Sequence, residues 1–286
     1  MEVALQMGTF TRVGYGFEKC LEIANSLGIK YMELWIDRDN FWPEKTSKEE
    51  LSEALSRARS YGVKIISMCP IPFKAEKWEE FVFEFDLASR DEPNREKAVK
   101  WYKSVIDMAT RLEAKTIIVL PGKVEEPNFM KSKQSYRQHW EQAVKSLKEL
   151  AKYAEDNGVC LGVENAVVCN YINLPGELKV MVDEVGSDYV KAYLDVANAN
   201  VFLPPEIYVR ELKGKLCDAI HATDNDGSYP YHLPVGMGTI NYERIISLLK
   251  EIGWNGYVVP EIFYDEDPIG GLKRSKEVFE KIISRQ

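Results

Sequence analysis

Short, near-continuously apolar runs rich in β-branched residues recur along the whole chain, each followed by a longer stretch of helical period. The runs are Val3–Met7, Tyr31–Ile36, Lys64–Met68, Thr116–Leu120, Cys160–Glu164, Val190–Asp195, Ala219–Ala222 and Tyr257–Glu261. A strand without polar alternation is one covered on both faces, as in a parallel sheet. The intervening stretches are amphipathic. Phe17, Cys20, Leu21 and Ala24 fall on one helical face, as do Trp140, Ala143, Val144 and Leu147, and Ile245, Leu248, Leu249 and Ile252. Thr46 followed by Glu49 predicts a capping box before the helix around Leu51 and Leu55. Gly28, Gly62, Gly158 and Gly253 each stand between a helix and the next strand, where a left-handed cap residue is needed.

Eight strand–helix units with no linker-like stretch predict an α/β fold, a single (β/α)8 TIM barrel filling one domain over residues 1–286. A doubly wound open sheet is the alternative. The dinucleotide-binding glycine fingerprint is missing, since Gly236-Met237-Gly238 has no third glycine and leaves no strand for a helix. A phosphate-binding P-loop and a G-x-S-x-G elbow are missing too. Three connections are long: Pro70 to about Pro93, Pro121 to about Gln134, and Thr223 to Ile240. All follow a strand and precede a helix, on the face where barrel enzymes keep their active sites. The first carries Phe73, Trp78, Phe81, Phe83 and Phe85, an aromatic content suited to a lid or a subunit contact.

Charge narrows the partners. Lys and Arg number 37 against 45 Asp and Glu, a net charge of −8, which argues against nucleic acid. The five cysteines are scattered without a C-x-x-C pair, fitting reduced thiols rather than a disulfide framework or structural zinc site. The first residues lack the pattern of a signal peptide, and no apolar run approaches the roughly 20 residues of a membrane span. The expectation is a cytoplasmic protein with no membrane partner.

The polar residues that end these apolar strands carry the functional signal. The fifth strand ends in Glu164-Asn165, the sixth in Asp195, the seventh in His221 and the eighth in Glu261. Four consecutive strands thus deliver an ionisable group to one rim. A single such residue is commonly a salt-bridge member, a cap or a satisfied core histidine. Three carboxylates and an imidazole converging together would repel strongly without a divalent cation. With only three histidines in the chain, a metal site here must be carboxylate-rich, suiting Mn²⁺, Mg²⁺ or Co²⁺ at least as well as Zn²⁺.

These residues also carry a resemblance. Glu164-Asn165, Leu194-Asp195-Val196-Ala197-Asn198, His221 through Gly227, His232 through Gly238, and Pro260-Glu261 resemble the xylose-isomerase-like TIM-barrel superfamily. That group includes sugar isomerases, ketose 3-epimerases, inosose-processing enzymes and apurinic endonucleases. The β/α rhythm resembles it along the whole chain, while the diagnostic motifs lie from residue 160 onward. The resemblance implies one divalent metal, Mn²⁺ first among the candidates, held by Glu164, Asp195, His221 and Glu261. Glu164 and Glu261 would also serve as acid and base. A homo-oligomer is implied as well.

Departures from the family sharpen this. The trinuclear endonuclease needs further histidines and an aspartate, but Asn198 stands at one histidine's position, Tyr229 and Tyr231 stand near those of the Asp and another His, and no histidine precedes His139. Ketose 3-epimerases usually have His at Asn198, Glu at Asn170 and an early Arg in the loop holding Gly227 and His232. The substrate expected is therefore a small sugar or polyol-derived ketone outside the usual ketohexose pattern.

The chemistry expected is proton transfer next to a carbonyl through an enediolate, with the metal as Lewis acid and template. Asn198, Asp224 and His232 are candidate substrate contacts, joined by Asn165 as a possible orienting group. For each of these a plain loop-stabilising role is an equal alternative. Trp35 could wall a sugar ring or simply pack the core, Glu33 on the same strand could form a barrel ion pair, and His139 reads as packing or surface. An inosose-type dehydratase on the same site is the competing enzyme reading; a non-catalytic metabolite-binding barrel and an abasic-site endonuclease rank lower.

Overall fold

The computed structural model describes residues 1–75, 81–124 and 136–285. Eight parallel strands close into a barrel. We number them β1, in two pieces (Glu2–Val3 and Leu5–Gln6), β2 (Tyr31–Ile36), β3 (Lys64–Pro70), β4 (Thr116–Val119), β5 (Cys160–Glu164), β6 (Val190–Tyr193), β7 (Ala219–His221) and β8 (Tyr257–Val259). Strands β1 to β6 pair in sequence order. The first piece of β1 pairs with β8, which pairs with β7. Between β6 and β7 the ring is completed by the bridges Ala192↔Leu216 and Asp195↔His221. Closure leaves the barrel itself no free edge among the described residues, and it rules out the doubly wound alternative.

A principal helix follows each strand, the first at Phe17–Ser26 and the last at Pro268–Arg285. Each turns its apolar stripe inward: Cys20, Leu21 and Ala24 are buried, as are Ala143, Val144 and Leu147, and Ile245, Leu248 and Leu249. Gly28 and Gly253 adopt φ of 67° and 81°, the left-handed turn that ends a helix and releases the next strand.

Several expected boundaries move. The capping box is built from Ser47 and Glu50, one residue later than Thr46 and Glu49. The Ser47 Oγ accepts from the Glu50 N–H at 3.2 Å, and the Glu50 carboxylate accepts from the Ser47 N–H at 2.7 Å. Both pairs satisfy the same spacing rule, and the helix begins at Lys48, so the later pair wins. Strands β6 and β8 stop short of Asp195 and Glu261. At the rim the chain leaves the ladder, and Asp195 becomes the N-cap of the short helix Val196–Asn200.

The connection after β3 carries an antiparallel hairpin, Phe73–Ala75 with Phe81–Phe83. Phe85, expected with this aromatic group, is instead buried and stacked on Trp101 at 4.5 Å. Trp78 and most of the connection after β4 lie outside the described residues. The connection after β7 is tied down by Asp224. Its carboxylate accepts from the backbone N–H groups of Asn225, Gly236 and Ile240 at 2.8–3.1 Å.

Candidate metal centre

Glu164 ends β5, Asp195 lies two residues past β6, His221 ends β7 and Glu261 lies two residues past β8. The closing barrel brings these ends together, so that one ligand atom from each of the four lies within 4.8 Å of the others. All four are buried, Asp195 and His221 completely. His221 Nδ1 points into the cluster, 2.9 Å from Glu164 Oε1, 3.3 Å from Glu261 Oε2 and 3.7 Å from Asp195 Oδ2.

Neighbours outside the cluster fix Asp195 and Glu261. The Asn165 amide accepts from the Asp195 N–H at 2.8 Å and donates to its carbonyl at 2.9 Å, so it locks the Asp195 backbone. Asp195 Oδ1 accepts from the Asn198 N–H at 2.7 Å. Gln6 on β1 donates to Glu261 at 3.3 Å. The Asp195 Oδ2 has no hydrogen-bond partner and no exposure. A buried carboxylate oxygen without a donor is costly unless a cation satisfies it. The donor set, three carboxylates and one imidazole nitrogen turned toward one point, fits a divalent ion.

The electrostatics carry the mark of this crowding. Burial pushes the Glu164 carboxyl up, His221 pulls against it, and repulsion from Glu261 and Asp195 adds to the rise, leaving it at about 7. Burial also acts on Asp195, but His232, His221 and the Asn198 N–H outweigh it and hold the group below its ordinary value. Burial would lower both imidazoles. Glu261, Glu33, Asp195 and Glu164 hold His221 well above the usual range instead, while Asp195 and Glu261 raise His232 to about 9.

Above the cluster opens a cavity of about 380 Å³. Its polar lining includes Glu164, Glu261, Asn198 and His232 together with Arg12 and Asp37, and Trp35, Ile71, Phe73 and Phe81 stand among its apolar wall. Trp35 is half-buried and lies so close to Gly8 that a Cβ there would sit 2.4 Å from its ring. Only glycine admits that approach. Asn198 brings a buried Oδ1 that has no partner. His232 stacks on Phe263 and sets its Nδ1 3.1 Å from the Glu261 carbonyl and 3.2 Å from its Oε2.

Of the expected substrate contacts, then, Asn198, His232 and Trp35 line the cavity. Asp224 does not, because both its oxygens are engaged by the loop backbone. Asn170, at the position of the epimerase glutamate, pairs its amide with the N–H and carbonyl of Val124. His139 is buried against the Ala88 carbonyl, in a packing role. Sequence reasoning did not connect Glu33 or Gln6 to the cluster. The available signal was inward placement: Glu33 and Trp35 are two apart on β2 and share a face.

Residues 21–282 match the sequence profile of a family described as xylose isomerase-like TIM barrel. A D-psicose 3-epimerase of Enterocloster bolteae is 26% identical over 256 residues, covering 86% of this chain and 77% of that one. An uncharacterised protein of Methanocaldococcus jannaschii is 28% identical over 204 residues, and the match spans 68% of this chain but 66% of that protein. Among solved structures, a D-tagatose 3-epimerase-like protein superposes with a TM-score of 0.80 at 21% identity, covering 99% of this chain and 97% of that one. At that identity the likeness speaks for the fold.

Proposed function

The chain belongs to the xylose isomerase-like TIM-barrel family, and from that premise we propose that it is a divalent-metal-dependent isomerase or epimerase of a small sugar or polyol-derived ketone. The observation that carries the reading is the buried Glu164, Asp195, His221 and Glu261 cluster at the floor of an open cavity. A D-psicose 3-epimerase among the relatives supports the substrate class. Mn²⁺ is the metal proposed, with Mg²⁺, Co²⁺ and Zn²⁺ as alternatives. Bound there, the ion would supply Lewis-acid polarisation of the substrate carbonyl.

The chain's own residues do the rest. Glu164 and Glu261, three strands apart around the barrel, reach the cavity from different sides. One removes the proton on the carbon next to the carbonyl, and the other returns a proton to give the epimer or the isomer. Both carboxylates would favour the ionised, proton-accepting form beside a bound cation, as a general base requires. Asn198 Oδ1 accepts from a substrate hydroxyl, His232 braces Glu261, and Trp35 and Phe73 exclude water and shape the apolar side. The same reading takes the chain as one domain and a cytoplasmic homo-oligomer, without nucleic-acid or membrane partners. Among the described residues no helix is long and apolar enough to cross a membrane.

The test is a panel of ketoses and inososes in D₂O with added Mn²⁺, read by product identification. Deuterium entering the carbon next to the carbonyl without loss of water supports the proposal. A dehydrated product would replace it with the lyase, and cleavage of abasic DNA would overturn it.

A further inference from the structure

Glu33 sits in the middle of β2 with no exposure at all, held by three donors from three other strands. The His221 Nε2–H from β7 meets its Oε1 at 2.7 Å. The Ser67 hydroxyl from β3 donates to its Oε2 at 2.6 Å, and the Tyr193 hydroxyl from β6 donates to the same oxygen at 2.8 Å. Tyr193 also presents its ring edge-on to the His221 imidazole, with centroids 4.9 Å apart at 70°. The carboxylate therefore spans the barrel interior, with one oxygen anchored to two hydroxyls and the other turned to the imidazole.

We propose that Glu33 is a positioning residue that fixes His221 as an Nε2–H donor and thereby commits Nδ1 to the metal centre. With the Ser67 and Tyr193 hydroxyls both donating to its Oε2, Glu33 turns its Oε1 to Nε2 as an acceptor, so Nε2 carries a hydrogen. That leaves Nδ1 as the atom facing Glu164, Asp195 and Glu261, and it cannot turn away without breaking the Glu33 bond. Ser67 and Tyr193 set the angle of the carboxylate, and Tyr193 sets the tilt of the ring. The hydrogen bond also makes the imidazole a stronger donor to a cation, the general role of an outer carboxylate behind a ligating histidine. The alternative is a brace that holds β2 to β7 and contributes stability alone. The two differ in what they predict for metal affinity.

This inference rests on the metal-centre reading above. The full chain, labelled with [¹⁵N]histidine, has only three histidines, so His221 is assigned by loss of its signal in His221→Gln. The wild type should show an exchange-protected His221 Nε2–H without metal and with Zn²⁺. That signal should vanish in Glu33→Ala. Mn²⁺ titration should find one site per chain throughout, weakened roughly 10–100-fold in Glu33→Ala. Glu33→Gln should fall between the two, and Tyr193→Phe should weaken binding only a few-fold. If Glu33→Ala fails to fold by circular dichroism, the isosteric Glu33→Gln and Tyr193→Phe decide the matter by the same affinity order. Variants that fold and bind Mn²⁺ as tightly as the wild type, or an Nε2–H that persists without Glu33, overturn the proposal alone. A wild type that takes up no divalent ion overturns the metal-centre reading, and this proposal with it.

Discussion

The two halves of the barrel rim are built from different chemistry. Glu164 and His221 end β5 and β7, and Asp195 and Glu261 lie two residues past β6 and β8, all four buried and turned to one point. The opposite half brings Trp35, Cys69 and Leu120 to the cavity from β2, β3 and the end of β4, followed by Ile71 and the hairpin's Phe73 and Phe81. One half concentrates buried charge that only a cation or protons can neutralise, and the other, Arg12 and Asp37 apart, faces the cavity with apolar side chains. Electrostatic interactions strengthen in such a dry setting. A low-dielectric wall beside the cluster is thus as much a part of the chemistry as the ligands are. The halves are also joined, since Glu33 from β2 reaches His221 and Gln6 from β1 reaches Glu261.

Substitutions should separate the halves, the largest effects lying on the charged one. Glu164→Gln and Glu261→Gln should each lower kcat by roughly 10²–10⁴-fold, the usual contribution of a general acid or base, measured on whichever substrate the panel identifies. Full activity in either variant would remove that residue from the acid–base pair.

The metal-free protein should lose stability as pH rises. Glu164 folds with its carboxyl raised from 4.5 to about 7, so the folded state holds its proton more tightly than the unfolded chain does. That contribution is complete below about 4.5 and is lost as pH rises through about 7. His232, raised to about 9, contributes below its ordinary 6.5 and loses that contribution through about 9. Metal would take the place of the Glu164 proton, so the rise in Tm on adding Mn²⁺ should grow by several degrees between about pH 6 and pH 8.5. A pH-independent shift would contradict the proposed competition.

On the apolar half, Trp35→Ala should raise KM about 10-fold, the loss expected for one large aromatic contact. Mn²⁺ affinity should stay unchanged. A loss of metal in this variant would break the division between the halves. Asp224→Asn should have the smallest effect on chemistry: about 1–2 kcal/mol of stability from weakened charge-assisted bonds to the loop, seen as a lower Tm with metal binding intact.

The fold was readable because parallel strands covered on both faces leave uninterrupted apolar runs, punctuated by glycines such as Gly28 and Gly253. Glu164, Asp195, His221 and Glu261 were readable for the converse reason, since a charge ending such a run stands out. What could not be read were long-range pairings. Nothing local tells Glu33 that its partner lies 188 residues away, and Asp224 in a turn-forming stretch reads alike whether its oxygens face substrate or backbone. Strand ends shifted at Asp195 and Glu261 because geometry at the rim depends on barrel closure.

The central claim is that four strand ends hold one divalent ion. Equilibrium dialysis against Mn²⁺ with elemental analysis tests it directly. One ion per chain in the wild type, and none in the Asp195→Ala, His221→Ala double variant that still folds, is the result predicted here. A wild type that binds no ion, or a double variant that binds as well as the wild type, would contradict it.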